Sequence, residues 1–240
     1  TAYAVQKKVN DNDPADDASF DFQLSSLTVG APMPASGGEK VTTVGKDAKS
    51  FGSITFDKPG TYKYIIEETS PAPDDGNVWT MAKPVYAQVT VDNAADGSRV
   101  LPTSVKYYSD EACEHEVSDS VVVFNNAFKA PDSVTAQLKI HKAVEVAEGS
   151  NLNPDEEFTF DLYEATEQGD KTDKKIGDTI FVKKDGDGVF DLPAFTAAGT
   201  YNYVIHESGH DTNGWTPAPD VKVQVVVGKS GDGTRFEVKS

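Results

Sequence analysis

A strand pattern that ends in a carboxylate is the feature that most constrains the fold of this chain. In residues 60–69, Tyr62, Tyr64 and Ile66 recur at every second position, so they face one side of a β-strand. Glu68 takes the next position on that side. A carboxylate on an apolar face is costly unless it is paired or kept neutral. The pattern therefore predicts a buried acid that needs partner groups.

The same pattern recurs at residues 199–207, where Glu207 stands in the place of Glu68. Other segments match in the same order: 20–24 with 158–162, 51–56 with 190–195, and 79–80 with 215–216. Two units of this length are too few and too long for a solenoid. The repeat predicts two tandem β-domains, residues 1–130 and 131–240.

Short alternating segments separated by turn residues predict an all-β fold. Strands are expected at 3–9, 20–24, 40–44, 51–56, 60–69, 85–91, 105–108 and 121–126, and the series restarts at 138–144. The second series contains nothing that corresponds to residues 121–126. A sandwich without its last strand exposes an unpaired edge. We expect the natural chain to continue, and a strand from another molecule is the alternative.

The charge and the cysteine content exclude several function classes. A formal net charge of −17 argues against nucleic acid or an anionic membrane as partner. Cys113 is the single cysteine, so no internal disulfide is possible. The acidic residues 110–116 have ligand types but no repeated ligand spacing, which favours a solvated loop. We therefore predict no metal and no cofactor.

Three polar residues fall on inward faces of the predicted strands of the first domain. Lys7 shares a face with Val5 and Val9, and Asn126 shares a face with Phe124. Lys7, Asn126 and Glu68 can therefore meet in one core. For a lone inward lysine, a side chain that reaches back to solvent, or a misread register, is the alternative interpretation.

The chemistry open to such a cluster is intramolecular amide formation, in which a lysine amine attacks a carboxamide and ammonia leaves. Burial lowers the pKa of a lysine and raises that of a glutamic acid, so the amine becomes a nucleophile. The protonated acid is expected to donate a hydrogen bond to the amide oxygen and to move protons. Fixed geometry gives the two groups a much higher effective concentration than free reactants have. Each chain reacts once, so the protein is not an enzyme in the usual sense.

Several motifs together resemble the isopeptide-linked domains of Gram-positive sortase-assembled pilins and surface adhesins. The chain looks like the streptococcal major-pilin type, which is related to the collagen-adhesin B-type (CnaB-like) domains. The motifs are Val5-x-Lys7-x-Val9, Phe20-x-Phe22-x-Leu24, Gly60-Thr61-Tyr62-x-Tyr64-x-Ile66-x-Glu68 and Phe124-x-Asn126, and residues 64–73 look like the pilin E-box. The resemblance implies two tandem immunoglobulin-like β-sandwiches, the second lacking its last strand in this sequence.

The resemblance also implies roles for individual residues. In that family a Lys–Asn bond is promoted by an E-box acid, which maps to Lys7, Asn126 and Glu68. Lys142 and Glu207 map likewise in the second domain, but the partner Asn of Lys142 is absent from this sequence. No Tyr-Pro-Lys-Asn segment and no Leu-Pro-x-Thr-Gly segment occurs in the 240 residues.

These features predict a mechanical protein, a stalk or shaft segment of an extracellular pilus or cell-wall-anchored surface protein. Its expected partners are other pilin or surface-protein subunits. One alternative is a ligand-binding adhesin region that recognises host matrix protein or glycan. Another is a noncatalytic module of a secreted enzyme. An aromatic or grooved binding surface would favour the first alternative, and an adjoining catalytic domain would favour the second.

Overall fold

The protein is all-β in the part of the chain that its computed structural model describes, residues 3–118, 120–151, 153, 156–208 and 214–240. These residues contain only strands, turns and irregular segments, which confirms the predicted fold class. None of them forms a helix that could cross a membrane. The chain divides into two compact units, Thr1–Ala130 and Pro131–Ser240.

The first unit is a β-sandwich. Its described strands are β1 (Ala4–Val9), β2 (Ser19–Ser26), β3 (Lys40–Val44), β4 (Lys49–Ser50), β5 (Gly60–Glu68), β6 (Val78–Thr80), β7 (Val85–Asn93), β8 (Val100–Tyr108), β9 (Glu116–Ser118) and β10 (Val121–Lys129). One sheet has the order β3-β2-β5-β7-β8-β9, and the other has the order β4-β1-β10-β6. The first and last strands are therefore neighbours in one sheet, although most of the unit lies between them in sequence.

The pairing of β1 with β10 is parallel, and it sets the register of two of the predicted site residues. Lys7 lies opposite Phe124, and Val9 lies opposite Asn126. In the facing sheet, Glu68 lies opposite Phe22 on β2. The core between the sheets is built from the alternating inward positions of both, including the buried Val5, Leu24, Tyr64, Ile66, Val89 and Phe124.

The prediction of a strand at residues 51–56 is wrong, because this segment has no regular strand structure. Phe51, Ile54 and Phe56 are nevertheless buried, and the amide of Phe51 donates to the carbonyl of Tyr3 at 2.8 Å. Their spacing of three and then two residues does not match the period of a strand. The segment is an irregular connection that contributes apolar side chains to the core.

The second unit repeats part of this plan. Its described strands are β11 (Gln137–Lys142), β12 (Glu157–Ala165), β13 (Lys171–Lys183), β14 (Gly186–Asp191), β15 (Gly199–Ser208), β16 (Val221–Lys229) and β17 (Phe236–Val238). They form a five-stranded sheet, β13-β12-β15-β16-β17, and a two-stranded sheet, β11-β14. Within the described ranges, no strand pairs with β11 as β10 pairs with β1.

Candidate functional site

Lys7 lies on β1 with its side chain completely buried between the two sheets of the first unit. Its Nζ donates to Glu68 Oε2 at 3.0 Å and to the carbonyl of Phe124 at 3.3 Å. Burial lowers the pKa of Lys7 from its ordinary value, and the hydrogen bond and charge of Glu68 only partly oppose this shift. The amine is therefore easier to deprotonate than that of a solvated lysine.

Glu68, at the end of β5, joins the amine to a carboxamide. Its side chain is 2% exposed, and its Oε1 accepts a hydrogen bond from Asn126 Nδ2 at 3.0 Å. Asn126 lies on β10 and is itself 1% exposed. One carboxylate oxygen thus contacts the lysine nitrogen and the other contacts the amide nitrogen.

The neighbouring Asn125 faces away from this cluster. Its Nδ2 donates to Asp11 Oδ1 at 2.7 Å, and its Oδ1 accepts from the amide of Asp11 at 3.1 Å. The period-two alternation of β10 separates the two amides. The structure accordingly brings Lys7, Glu68 and Asn126 together and leaves Asn125 outside the site.

Aromatic rings border the cluster. The Phe20 ring centroid lies 5.1 Å from Lys7 Nζ, and the rings of Phe22 and Phe124 lie 5.0 Å apart. The face of an aromatic ring favours a nearby cation, while the apolar surface around the site excludes water. The cluster is therefore a polar group of three side chains enclosed in an apolar core.

The carbonyl side of the Asn126 amide differs from the expectation drawn from the sequence. A protonated Glu68 was expected to donate to the amide oxygen, but Glu68 contacts the amide nitrogen instead. Asn126 Oδ1 accepts a hydrogen bond from the backbone amide of Ala82 at 2.7 Å. The NH₂ edge of the amide donates to a Glu68 oxygen, and the carbonyl edge is left to the backbone donor at Ala82.

Ala82 is the site residue that sequence reasoning missed, because it contributes a backbone group. A weak signal is present, since Trp-Thr-x-Ala occurs both at residues 79–82 and at residues 215–218. Side-chain periodicity does not report on backbone donors, so this repetition alone gives no role to the alanine.

The second unit places the corresponding acid and lysine in the same relation. Lys142 Nζ lies 2.7 Å from Glu207 Oε1, with side-chain exposures of 11% and 2%. Glu207 lies opposite Phe160 on β12, as Glu68 lies opposite Phe22. Lys142 Nζ also lies 4.4 Å from the ring centroid of Phe158, the counterpart of Phe20.

The second unit differs in the group that accepts the hydrogen bond of the alanine amide. Glu207 Oε2 accepts a hydrogen bond from the backbone amide of Ala218 at 2.8 Å. Ala218 is the counterpart of Ala82 in the Trp-Thr-x-Ala repeat. Among the described residues, no carboxamide side chain hydrogen-bonds to Lys142. In the second unit, the acid and the amine are thus in contact, but no described carboxamide side chain contacts the amine.

The acidic loop at residues 110–116 is held together by its own turn. Asp110 accepts hydrogen bonds from the backbone amides of Glu114 and His115, at 3.1 and 2.8 Å. These bonds lower the pKa of Asp110. In the described part of the chain, no three His, Cys, Asp or Glu side chains are grouped so that they could hold a metal ion.

The fold and the site together define a class of protein, tandem β-sandwich domains with a lysine and an acid paired inside the core. A comparison with protein families matches residues 3–129 and 138–239 to the FctA family, described as a Spy0128-like isopeptide containing domain. The match covers nearly the whole chain, so the protein belongs to this family. The resemblance indicated by the sequence motifs is thereby confirmed. The comparison with curated proteins gives no match.

Solved pilin structures show remote similarity to the chain. A mutant of the major pilin from Streptococcus pyogenes has 16% identity and a TM-score of 0.42, over 99% of this chain and 96% of that one. The major pilin T3.2 from Streptococcus pyogenes has 18% identity and a TM-score of 0.39, over 100% and 90%. A mutant of the shaft pilin SpaA from Lactobacillus rhamnosus GG has 14% identity and a TM-score of 0.28, over 92% and 91%.

Proposed function

We propose that the first unit forms an intramolecular isopeptide bond between Lys7 Nζ and Asn126 Cγ, and that the chain is a structural segment of a surface pilus or stalk. The observation that carries the proposal is the bridging position of Glu68, whose two oxygens contact the lysine nitrogen and the amide nitrogen at 3.0 Å each. All three side chains are at most 2% exposed.

The reaction balances with these three groups alone. The lone pair of the neutral Lys7 amine attacks Asn126 Cγ, and the carbonyl electrons move to Oδ1. Glu68 takes a proton at the oxygen facing Nζ and returns a proton at the oxygen facing Nδ2. The C–N bond to Nδ2 breaks and ammonia leaves. Glu68 ends in its starting state, and each chain reacts once.

The position of the bond suits a segment that carries force. Because β1 and β10 are adjacent and parallel, pulling the two ends of the unit apart slides these strands past each other. A covalent bond between Lys7 and Asn126 would carry that load directly and spare residues 8–125. It would also close a long loop, which restricts the unfolded chain and raises the free energy of unfolding.

Membership of this family also supports a proposal about where the protein acts and with which partners. The protein would act outside the cell, on a pilus or cell-wall-anchored surface structure, with other pilin or surface-protein subunits as its partners. Its role would be mechanical, and the self-crosslinking step would be its only chemistry.

Intact-mass spectrometry of the folded protein tests the proposal. The measured mass should be lower than the mass calculated from the sequence by one ammonia. A digest should contain a branched peptide that joins residues 7 and 126. Lys7→Ala and Glu68→Ala should each restore the full mass. Asn125→Ala is the matched control and should still lose ammonia, because Asn125 faces Asp11. An unaltered mass in well-folded wild-type protein would sink the proposal.

For the second unit we propose that Lys142 and Glu207 have the same roles toward a carboxamide, which none of the described residues places at this pair. The 240-residue chain should therefore lose one ammonia and not two. Lys142→Ala should leave the mass deficit unchanged. A second lost ammonia would show that this assignment is wrong.

A further inference from the structure

The Asn126 carboxamide is held by one acceptor and one donor. Its nitrogen donates to Glu68, and its oxygen accepts from the backbone amide of Ala82 at 2.7 Å. Ala82 lies two residues beyond the end of β6, which pairs with β10 through Thr80 and Ala127. The amide of Ala82 is therefore outside the strand ladder, and it donates to a side chain instead.

Attack on the carboxamide concentrates negative charge on Asn126 Oδ1. Glu68 cannot stabilise that charge from its observed position, because both of its oxygens face nitrogen atoms. We propose that the backbone N–H of Ala82 is the oxyanion donor of the isopeptide-forming reaction, an inference that rests on the function proposed above. A fixed donor at the oxygen where charge develops stabilises the transition state more than the ground state.

The electron movement in this step gives the donor a defined task. As the Lys7 amine forms its bond to Cγ, the π electrons of the carbonyl move onto Oδ1, which the Ala82 N–H already contacts. When the tetrahedral intermediate collapses, these electrons return and the bond to Nδ2 breaks. The amide of Ala82 keeps its own proton throughout, so it contributes electrostatic stabilisation and no proton transfer.

The second unit shows that this donor belongs to the fold. Ala218 follows Trp215 by three residues, as Ala82 follows Trp79, and its amide also points into the site, at Glu207 Oε2. The backbone donor is thus present beside the lysine and acid even where no described carboxamide contacts them. A backbone amide from the same sequence position therefore lies at the site in both units, and in the first unit it already contacts the oxygen on which charge develops.

The test measures the rate of ammonia loss in the 240-residue chain, by intact mass at timed intervals after cell-free synthesis. Two variants remove the donor: Ala82→Pro, and an ester variant in which residue 82 carries the α-hydroxy analogue of alanine. Each should react about 10²- to 10³-fold more slowly than wild type. The ester variant keeps the side chain and the backbone shape, so it reports on the N–H even where the proline variant fails to fold.

One control keeps the N–H of residue 82 and changes its neighbour. Lys83→Pro places a proline where the second unit has Pro219. This variant should react within a few-fold of wild type. Tryptophan fluorescence of each variant verifies that the reacting population is folded.

The outcomes separate this inference from the proposed function. If wild type loses no ammonia, the proposed function is wrong and this inference goes with it. If wild type loses ammonia and the folded ester variant does so at the same rate, the isopeptide proposal stands and the role of Ala82 is overturned. A slow ester variant beside a fast Lys83→Pro variant supports the oxyanion donor.

Discussion

Lys7 and Glu68 come from opposite sheets of the first unit, and their Nζ and Oε2 atoms lie 3.0 Å apart with both side chains almost fully buried. Removing a buried ion pair from water is costly, and such a pair is weak support for stability by itself. A third polar group, Asn126, lies in the same enclosed site. The proposed reaction between these three groups would account for their burial in one site.

The stability of the first unit should depend on which of two adjacent asparagines is changed. Asn126→Ala should lower the free energy of unfolding by about 5 kcal/mol, because it removes the closure of a long loop and leaves the amide of Ala82 without its acceptor. Asn125→Ala removes exposed hydrogen bonds to Asp11 and should cost about 1 kcal/mol or less. Denaturant unfolding measures both values. Equal losses in the two variants would contradict the covalent role of Asn126.

Two core tyrosines should respond differently to loss of the hydroxyl. Within the described residues, the Tyr3 hydroxyl is buried without a hydrogen-bond partner. Tyr64 instead donates to the carbonyl of Pro32 at 2.9 Å. Tyr3→Phe should be neutral or stabilise by about 1 kcal/mol, while Tyr64→Phe should destabilise by about 1 kcal/mol. Thermal unfolding of both variants checks the difference, and a large loss in Tyr3→Phe would show that its hydroxyl is satisfied.

The first unit should lose stability at alkaline pH. Burial raises the pKa of Tyr3 and of Tyr64, and it raises the pKa of Tyr107 to about 12. Above the ordinary tyrosine value of 10.0, the unfolded chain releases these protons while the folded chain keeps them. The contribution of these tyrosines to the free energy of unfolding is therefore fully present below that pH. It is lost as the pH rises toward the pKa values of the folded state.

Unfolding measured at several pH values between about 9 and about 12 would reveal this slope. Tyr3→Phe should make it shallower, because one of the raised groups is then absent. A free energy of unfolding that stays constant across this range would argue against the buried, protonated tyrosines.

Close packing at Gly188 should make the second unit sensitive to a single methyl group. A Cβ at Gly188 on β14 would lie 2.6 Å from Val182 Cγ2, 2.7 Å from Ile180 Cδ1 and 3.1 Å from Ile140 Cγ1. Gly188→Ala should therefore cost about 1–3 kcal/mol through overpacking. Gly231→Ala is the matched control, since a Cβ there would meet nothing within 4 Å. Comparable unfolding midpoints for the two variants would contradict this packing.

Alternation along the strands carried much of the prediction. Tyr64 and Ile66 are buried and the side chain of Glu68 is enclosed beside them, since a strand turns every second side chain to the same face. The same regularity put Lys7 inward on β1 and separated Asn126 from Asn125. The strand predicted at residues 51–56 is an irregular segment that fills the core. Apolar residues in a short segment indicate burial, but they do not show whether the backbone pairs with a neighbouring strand.

The sequence by itself determined the class of fold, the repeat and the inward position of the lysine and the acid, because these follow from local backbone geometry. Only the tertiary structure decided that β1 and β10 lie side by side in parallel, so that Lys7 and Asn126 reach the same carboxylate. It also decided which edge of the Asn126 amide meets Glu68 and which meets the amide of Ala82. These contacts depend on strands that are far apart in sequence and on a backbone donor outside the ladder. Their geometry is set by packing across the whole sandwich, which no local pattern encodes.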